Sequence, residues 1–274
     1  MILLLGALFF NLRSFQATLE SQMRRDLEIQ AGWKAQILSR WQDDLSAALI
    51  ILAEQKGMRE GVLRKTTGAA SGDFQGGFFR GVEAACRTLA ATFPGVEGLT
   101  LRGLDGEKWV GTGVQTDSVV YPEIRMRYRR VRLNPQAQRA LERWIVPVRD
   151  VNAQPLAFLI ADANPAGALK LVLETDSAVV DLVCLEDTSG ARLWDSSDSQ
   201  RIPRLVAGGM SFILEGREYL LAEAKVSGSS WKVCQARDRS LMTIELNQFR
   251  RGSAIFAGAG MVLLGLAGLI LKKF

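Results

Sequence analysis

The residues best suited to chemistry form a run of tyrosines and arginines near the middle of the chain. Tyr121, Arg125, Arg127 and Tyr128 lie within YPEIRMRY, and Arg129, Arg130 and Arg132 follow. A guanidinium is a planar fork of N–H donors, so such a cluster suits a carboxylate or another small anion held by paired hydrogen bonds. The same run also fits a solvated basic strand edge, and spacing alone leaves both readings open. Excluded chemistry is easier to name. The 274 residues contain no histidine. That removes Ser-His-Asp and Cys-His nucleophiles, imidazole metal sites and a phosphoacceptor histidine. Cys86, Cys184 and Cys234 stand singly, without CxxC or zinc spacing. Cys184 and Cys234 fall on predicted strands, where a disulfide in an oxidising compartment and two buried thiols are both open. No P-loop or nucleophile motif is present, and carboxylates such as Asp43 and Asp44 fall on a polar helix face. The sequence therefore predicts a non-enzyme with no cofactor and no metal. Net charge is +5, with four basic residues flanking the last apolar segment, which points to a membrane surface and not to nucleic acid.

The elements that must position the cluster begin with a long helix. Phe15 to Arg64 has no proline. Phe15, Leu19, Met23 and Leu27 form one four-step apolar run, and Trp33, Ile37, Trp41, Leu45 and Leu49 form a second. The linker from Thr66 to Gly77 ends this stalk, and a second helix is expected from Phe78 to Ala91. Strands follow: Leu99 to Leu104 turns at Asp105-Gly106 into Lys108 to Gly113, and Trp144 to Arg149 pairs with Leu156 to Ala161. A short helix is predicted from Ala168 to Leu173. The order then repeats with Val179 to Glu186, Ala191 to Trp194, Gly209 to Leu214, Arg217 to Lys225 and Trp231 to Ala236. A last helix starts near Arg239.

Both ends are apolar. Ala254 to Leu271 is 18 residues without a charge, between Arg250-Arg251 and Lys272-Lys273. As a helix it would rise about 27 Å, close to the hydrocarbon thickness of a bilayer. Met1 to Phe10 is apolar but lacks a basic leader and a cleavage site. Residues 1–15 are expected to be the outer end of a first membrane helix that starts before this sequence, or a short interfacial anchor.

The repetition carries the fold expectation. Leu99 to Trp109 and Leu182 to Trp194 share strand, acidic-glycine turn, and strand ending in tryptophan. Trp144 to Ala161 and Tyr219 to Ala236 share an antiparallel pair. The expected class is α+β: a long N-terminal helix, two stacked PAS-like antiparallel-sheet modules and a C-terminal transmembrane helix. The expected boundaries are stalk helix 16–66, membrane-distal module 67–163, membrane-proximal module 164–238, exit helix 239–253 and transmembrane helix 254–271. Each sheet would cover one face with helix and leave the other as a cup for a small ligand.

In this order the segments resemble the double Cache sensor domains of bacterial transmembrane receptors. QAGWKAQILSRWQDDLSAALIILAEQKGMREGVLRK is similar to their stalk, VEGLTLRGLDGEKWVGTG to the first distal hairpin, WIVPVRDVNAQPLAFLIADANPAGALKLVL to the last, and KVSGSSWKVCQARDRSLM to the closing strand. Amine-binding members carry a tyrosine, an arginine-x-tryptophan-tyrosine group and a later aspartate. The resemblance assigns Tyr121, Arg125, Tyr128 and Asp162 to these positions, and Arg127 stands where the tryptophan would be. With Trp109 and Trp144 on the distal strands, these make the candidate ligand set. Arginine in place of tryptophan favours a small anionic or carboxylate metabolite over an amine. The resemblance implies a sensing module in the bacterial inner membrane, periplasmic or extracellular in its main part, that passes a ligand-induced shift through the C-terminal helix. It also implies a homodimer through the stalk and membrane helices. The competing reading is a membrane-anchored protein-interaction or assembly module without a small ligand.

Overall fold

The computed structural model describes residues 2–69, 72–112, 129–132, 142–175, 181–187, 192–196, 211–241, 243–244, 247–249, 251–252 and 255. Helix α1 runs from Ile2 to Glu54 without a break. Its buried line runs through Leu27, Ala31, Lys34, Leu38, Trp41, Leu45, Leu49 and Leu52, with Ala35, Gln42, Ser46 and Ala53 buried beside it. Steps of four are interrupted by steps of three along this line. That corrects the four-step runs read from the sequence: each step of four turns the helix about 40° too far, so Trp33 has rotated off the buried face and is 49% exposed.

The stalk is also not one helix. Gln55 adopts extended backbone (φ −57°, ψ 134°) and ends α1, after which α2 spans Lys56–Thr66 and buries Met58 and Val62. Helix α3 spans Gly72–Thr92, so it starts within the expected linker and takes Gly76 and Gly77 into its first turns. Gly61 on α2 leaves the space that the Phe78 ring of α3 fills.

Ten strands follow among the described residues: β1 Val96–Gly103, β2 Lys108–Thr112, β3 Arg129–Arg132, β4 Glu142–Arg149, β5 Pro155–Ala163, β6 Leu182–Asp187, β7 Arg192–Asp195, β8 Ser211–Leu214, β9 Arg217–Lys225 and β10 Trp231–Asp238. They form two five-stranded antiparallel sheets, ordered β2-β1-β5-β4-β3 and β7-β6-β10-β9-β8. The two orders are the same permutation, which is the repeat legible in the sequence. Its turns are also as read: Gly106 has φ 87°, and Glu215 and Gly216 both have positive φ (51° and 78°), the backbone of a tight hairpin turn. Each sheet places its last strand in the centre. β5 leads into α4 (Pro165–Thr175), where Asn164 Oδ1 accepts from the Ala166 N–H at 3.0 Å and Pro165 opens the helix. β10 leads to helical turns that begin at Ser240, whose N–H donates to Asp238 Oδ1 at 2.7 Å.

One apolar core joins α1 to both sheets. It contains Leu38, Trp41, Leu45 and Leu49 of α1, Leu99, Leu101, Trp144, Val146 and Leu159 of the first sheet, and Val183, Leu185, Trp231 and Val233 of the second. The start of α1 meets the segment after β10: the Phe15 and Phe249 rings stack at 3.9 Å, and Arg239 bridges Glu20 and Glu218 at 2.8 and 2.7 Å. Among the described residues no helix is long and apolar enough to cross a membrane. The expected transmembrane segment, 254–271, lies outside them apart from Ile255.

Candidate ligand-binding site

Strand side chains alternate between faces, so the core residues fix which face of the first sheet looks away from α1. Leu99, Leu101, Trp144, Val146, Val148, Leu159 and Ala161 pack toward the helices. The alternate residues Thr100, Arg143, Ile145, Phe158, Ile160 and Asp162 therefore occupy the other face. Register lines them up across three strands: Gly98, Asp162 and Arg143 form one row, and Thr100, Ile160 and Ile145 the next. This outer face is not solvated. Ile145 is 1% exposed, Ile160 3% and Arg143 3%.

In this apolar setting Arg143 grips Asp162 through two parallel hydrogen bonds, Nε to Oδ1 at 2.6 Å and Nη2 to Oδ2 at 2.9 Å. The Arg143 side chain is 4% exposed and that of Asp162 15%. A bidentate pair at this depth is strong because neither ion has water to fall back on, and removing one partner would strand the other. The pair puts a carboxylate and a guanidinium side by side on one face, each satisfied by the other.

The sequence-predicted residues fall in three groups. Asp162 is on the outer face, as a ligand residue of the cup must be. Trp144 faces the other way: its ring meets Trp41 edge-on at 5.9 Å and its Nε1–H donates to Ser46 Oγ at 3.2 Å. Trp109 is partly buried and packs against the core shared with α1. Tyr121, Arg125, Arg127 and Tyr128 lie outside the described residues. The arginines that follow them enter β3, an edge strand, with Arg129 opposite Ile145 and Val131 opposite Arg143 in register. Arg129, Arg130 and Arg132 thus lie along the edge of the first sheet. Sequence reasoning missed Arg143. The usable signal was a charged residue at the head of a continuous apolar strand, Trp144 to Val148, whose neighbours are buried on both faces.

Comparison with known proteins gives structure but no sequence relative. No protein-family model matches the chain, and no curated protein matches it. Among solved structures, the ligand-binding domain of the amino acid chemoreceptor PctB of Pseudomonas aeruginosa PAO1, in complex with L-arginine, aligns with TM-score 0.51 and 12% identity, covering 80% of this chain and 97% of that one. The chain has the fold of a chemoreceptor ligand-binding domain. The sensory domain of the Campylobacter jejuni chemoreceptor Tlp3 with isoleucine bound gives TM-score 0.57 at 10% identity, covering 83% and 97%. The extracellular domain of a histidine kinase gives 0.51 at 12%, covering 80% and 95%. The double Cache resemblance read from the sequence holds at the level of fold, over the long helix and both sheets.

Proposed function

We propose that this chain is the extracytoplasmic sensing part of a membrane receptor and binds a small carboxylate-bearing metabolite in the cup of its first sheet. The observation that carries the proposal is the buried Arg143–Asp162 pair on the face turned from α1, next to the strand into which the Tyr121–Arg132 segment runs. In the proposed site Arg125 or Arg127 holds the ligand carboxylate, and Asp162 faces its cationic end where it has one. The structural neighbours PctB and Tlp3 are described with L-arginine and isoleucine, ligands with both charges, which supports this chemistry. In this reading residues 67–163 form the membrane-distal module and 164–238 the proximal one. Output passes from β10 through the turns after Ser240 into the segment 254–271 in the bilayer. The contact of Phe15 with Phe249 supports both ends leaving toward one membrane. Ile29 and Trp33, 62% and 49% exposed one turn apart on α1, offer a stripe for pairing with a second copy.

The test is thermal-shift screening of the full chain in nanodiscs against carboxylates, amino acids and amines. A carboxylate-bearing ligand is expected to raise Tm in proportion to the logarithm of its concentration. Arg125→Ala or Arg127→Ala is expected to weaken binding by ~30-fold or more, the loss for one desolvated charged partner, while Arg24→Ala on α1 leaves it unchanged. Exclusively cationic or apolar hits, or equal effects of the three substitutions, defeat the proposal.

A further inference from the structure

The second sheet has an outer face of its own, and it carries a different chemistry. Cys184 on β6 and Cys234 on β10 are direct cross-strand partners. Glu186, two residues along β6, shares their face. Their neighbours Val183, Leu185 and Val233 pack into the core with α1, so the three polarisable groups point away from it. Each is 1% exposed. The two Sγ atoms and a Glu186 carboxylate oxygen all lie within 4.8 Å of one another, and Cys184 Sγ is 3.9 Å from Glu186 Oε1. In a tetrahedral zinc site, bonds of ~2.3 Å to sulfur and ~2.1 Å to oxygen place S and S about 3.8 Å apart and S and O about 3.6 Å apart. The three donors therefore need to move by no more than about an ångström to reach coordination distances.

The carboxylate is held ready. Lys232 Nζ lies 3.2 Å from Glu186 Oε2 and 3.0 Å from Glu223 Oε1. The ammonium thus occupies one oxygen of Glu186 and leaves Oε1 turned to the sulfurs, the kind of outer contact that orients a metal-binding carboxylate.

We propose that Cys184, Cys234 and Glu186 form a binding site for a thiophilic divalent cation, with Zn2+ the ion whose ligand preferences fit. Sulfur donors select Zn2+ over Mg2+ or Ca2+, and three protein ligands leave a fourth position open. Binding breaks two S–H bonds, forms two S–Zn bonds and one O–Zn bond, and sends two protons to solvent, with no change of oxidation state. One dication replaces two protons, so the charge of the buried cluster is unchanged and the Lys232–Glu186 pair need not break. A cross-strand disulfide is the rival use of the two thiols, since direct partners on adjacent strands can meet its geometry. It gives Glu186 and its lysine brace no role, and for that reason the metal is the better reading.

The test uses the full chain, reduced and stripped with chelator, titrated with Co2+ as a visible stand-in for Zn2+. The expected result is one Co2+ per chain, a thiolate-to-cobalt charge-transfer band, two protons released per ion, and bleaching of the band by Zn2+. Cys184→Ser and Cys234→Ser are each expected to lose the band. Glu186→Gln is expected to weaken binding by ~10–100-fold while keeping the band, and Lys232→Met to weaken it less than Glu186→Gln does. Cys86→Ser, in α3, is the control and binds normally. The wild-type titration does not depend on any variant folding. Absence of saturable binding by the reduced wild type overturns the proposal, as does a band that survives in both cysteine variants. So does finding Cys184 and Cys234 already joined when free thiols are alkylated in intact cells.

Discussion

The two sheets share one strand order and one helix, yet they hold α1 by different means. Against the first sheet the seam is mainly apolar: Leu45 and Leu49 share one core with Val146 and Val148, Trp41 meets Trp144 edge-on, and Trp144 Nε1–H donates to Ser46 Oγ. Trp41 Nε1 has no hydrogen-bond partner among the described residues, so the ring is there for its area and shape. Against the second sheet the apolar contacts of Leu27 and Ala31 with Leu220 and Ala222 continue into a buried polar network. Lys34, 1% exposed, donates to Gln235 Oε1 at 3.0 Å. The Gln235 side-chain amide donates to Gln30 and Asp181, and Arg237 pairs with both oxygens of Asp181 at 2.8 Å. Apolar burial is non-directional and tolerates small slides, whereas buried polar groups are satisfied in one register and costly in any other. The first sheet thus fixes α1 by area, and the second fixes its register. Under the proposed sensing role, the second kind of contact is the one suited to a switch, because it can move between discrete arrangements.

The comparison can be broken most directly at Trp144. Trp144→Ala removes the largest buried side chain of the apolar seam and is expected to destabilise the protein by ~3–5 kcal/mol in denaturant unfolding. A loss below about 1 kcal/mol would mean that the seam is not the main anchor. Next comes Asp181→Asn, which strips the charge partner from Arg237. It is expected to cost about 2 kcal/mol, the scale of a hydrogen bond to a charged group, with the larger effect on protease sensitivity near α1. A sharper test is the paired substitution Lys34→Met with Gln235→Leu. Each single change strands a buried polar group and is expected to cost ~1–3 kcal/mol. The double is expected to recover the part of the loss that belongs to the Lys34–Gln235 contact, leaving ~1–2 kcal/mol for the hydrogen bonds that Gln235 no longer gives Gln30 and Asp181. Additive losses in the double would show that the network is needed for stability itself and not for register. The smallest effect is a pH dependence. Burial works against the charge of Asp238, but the Ser240 N–H and hydroxyl and the Arg217 guanidinium outweigh it and hold the carboxyl below its usual range. A depressed folded value means that the contribution is present above the unfolded value of ~3.9 and fades as pH falls through the folded one. Asp238→Asn removes that contribution, so it is expected to lower stability modestly at pH 7 and to flatten the stability profile below about pH 4, where variant and wild type converge.

Much of the fold was legible because its signals are local. Asp105-Gly106 and Glu215-Gly216 announce hairpins, since their backbone demands positive φ at set positions. Asn164-Pro165 announces a helix start. Four-step apolar spacing announced α1 but not its face, since a small error in period accumulates along 53 residues until Trp33 faces solvent and Lys34 the core. Of the candidate site, Asp162 was found through resemblance, and Arg143 was missed because its partner lies 19 residues away across a hairpin.

By itself the sequence determined the repeat, the strand-and-turn order, the absence of imidazole chemistry and the long helix. Each of these depends on residues near one another in the chain, through turn geometry, backbone freedom and composition. Only the tertiary structure decided which groups face one another: Arg143 with Asp162, Cys184 with Cys234, and Lys34 with Gln235 across 201 residues. Those pairings follow from strand register and from the rotation of α1 over two sheets. Both are set by the mutual fit of whole faces, which no local stretch of sequence encodes.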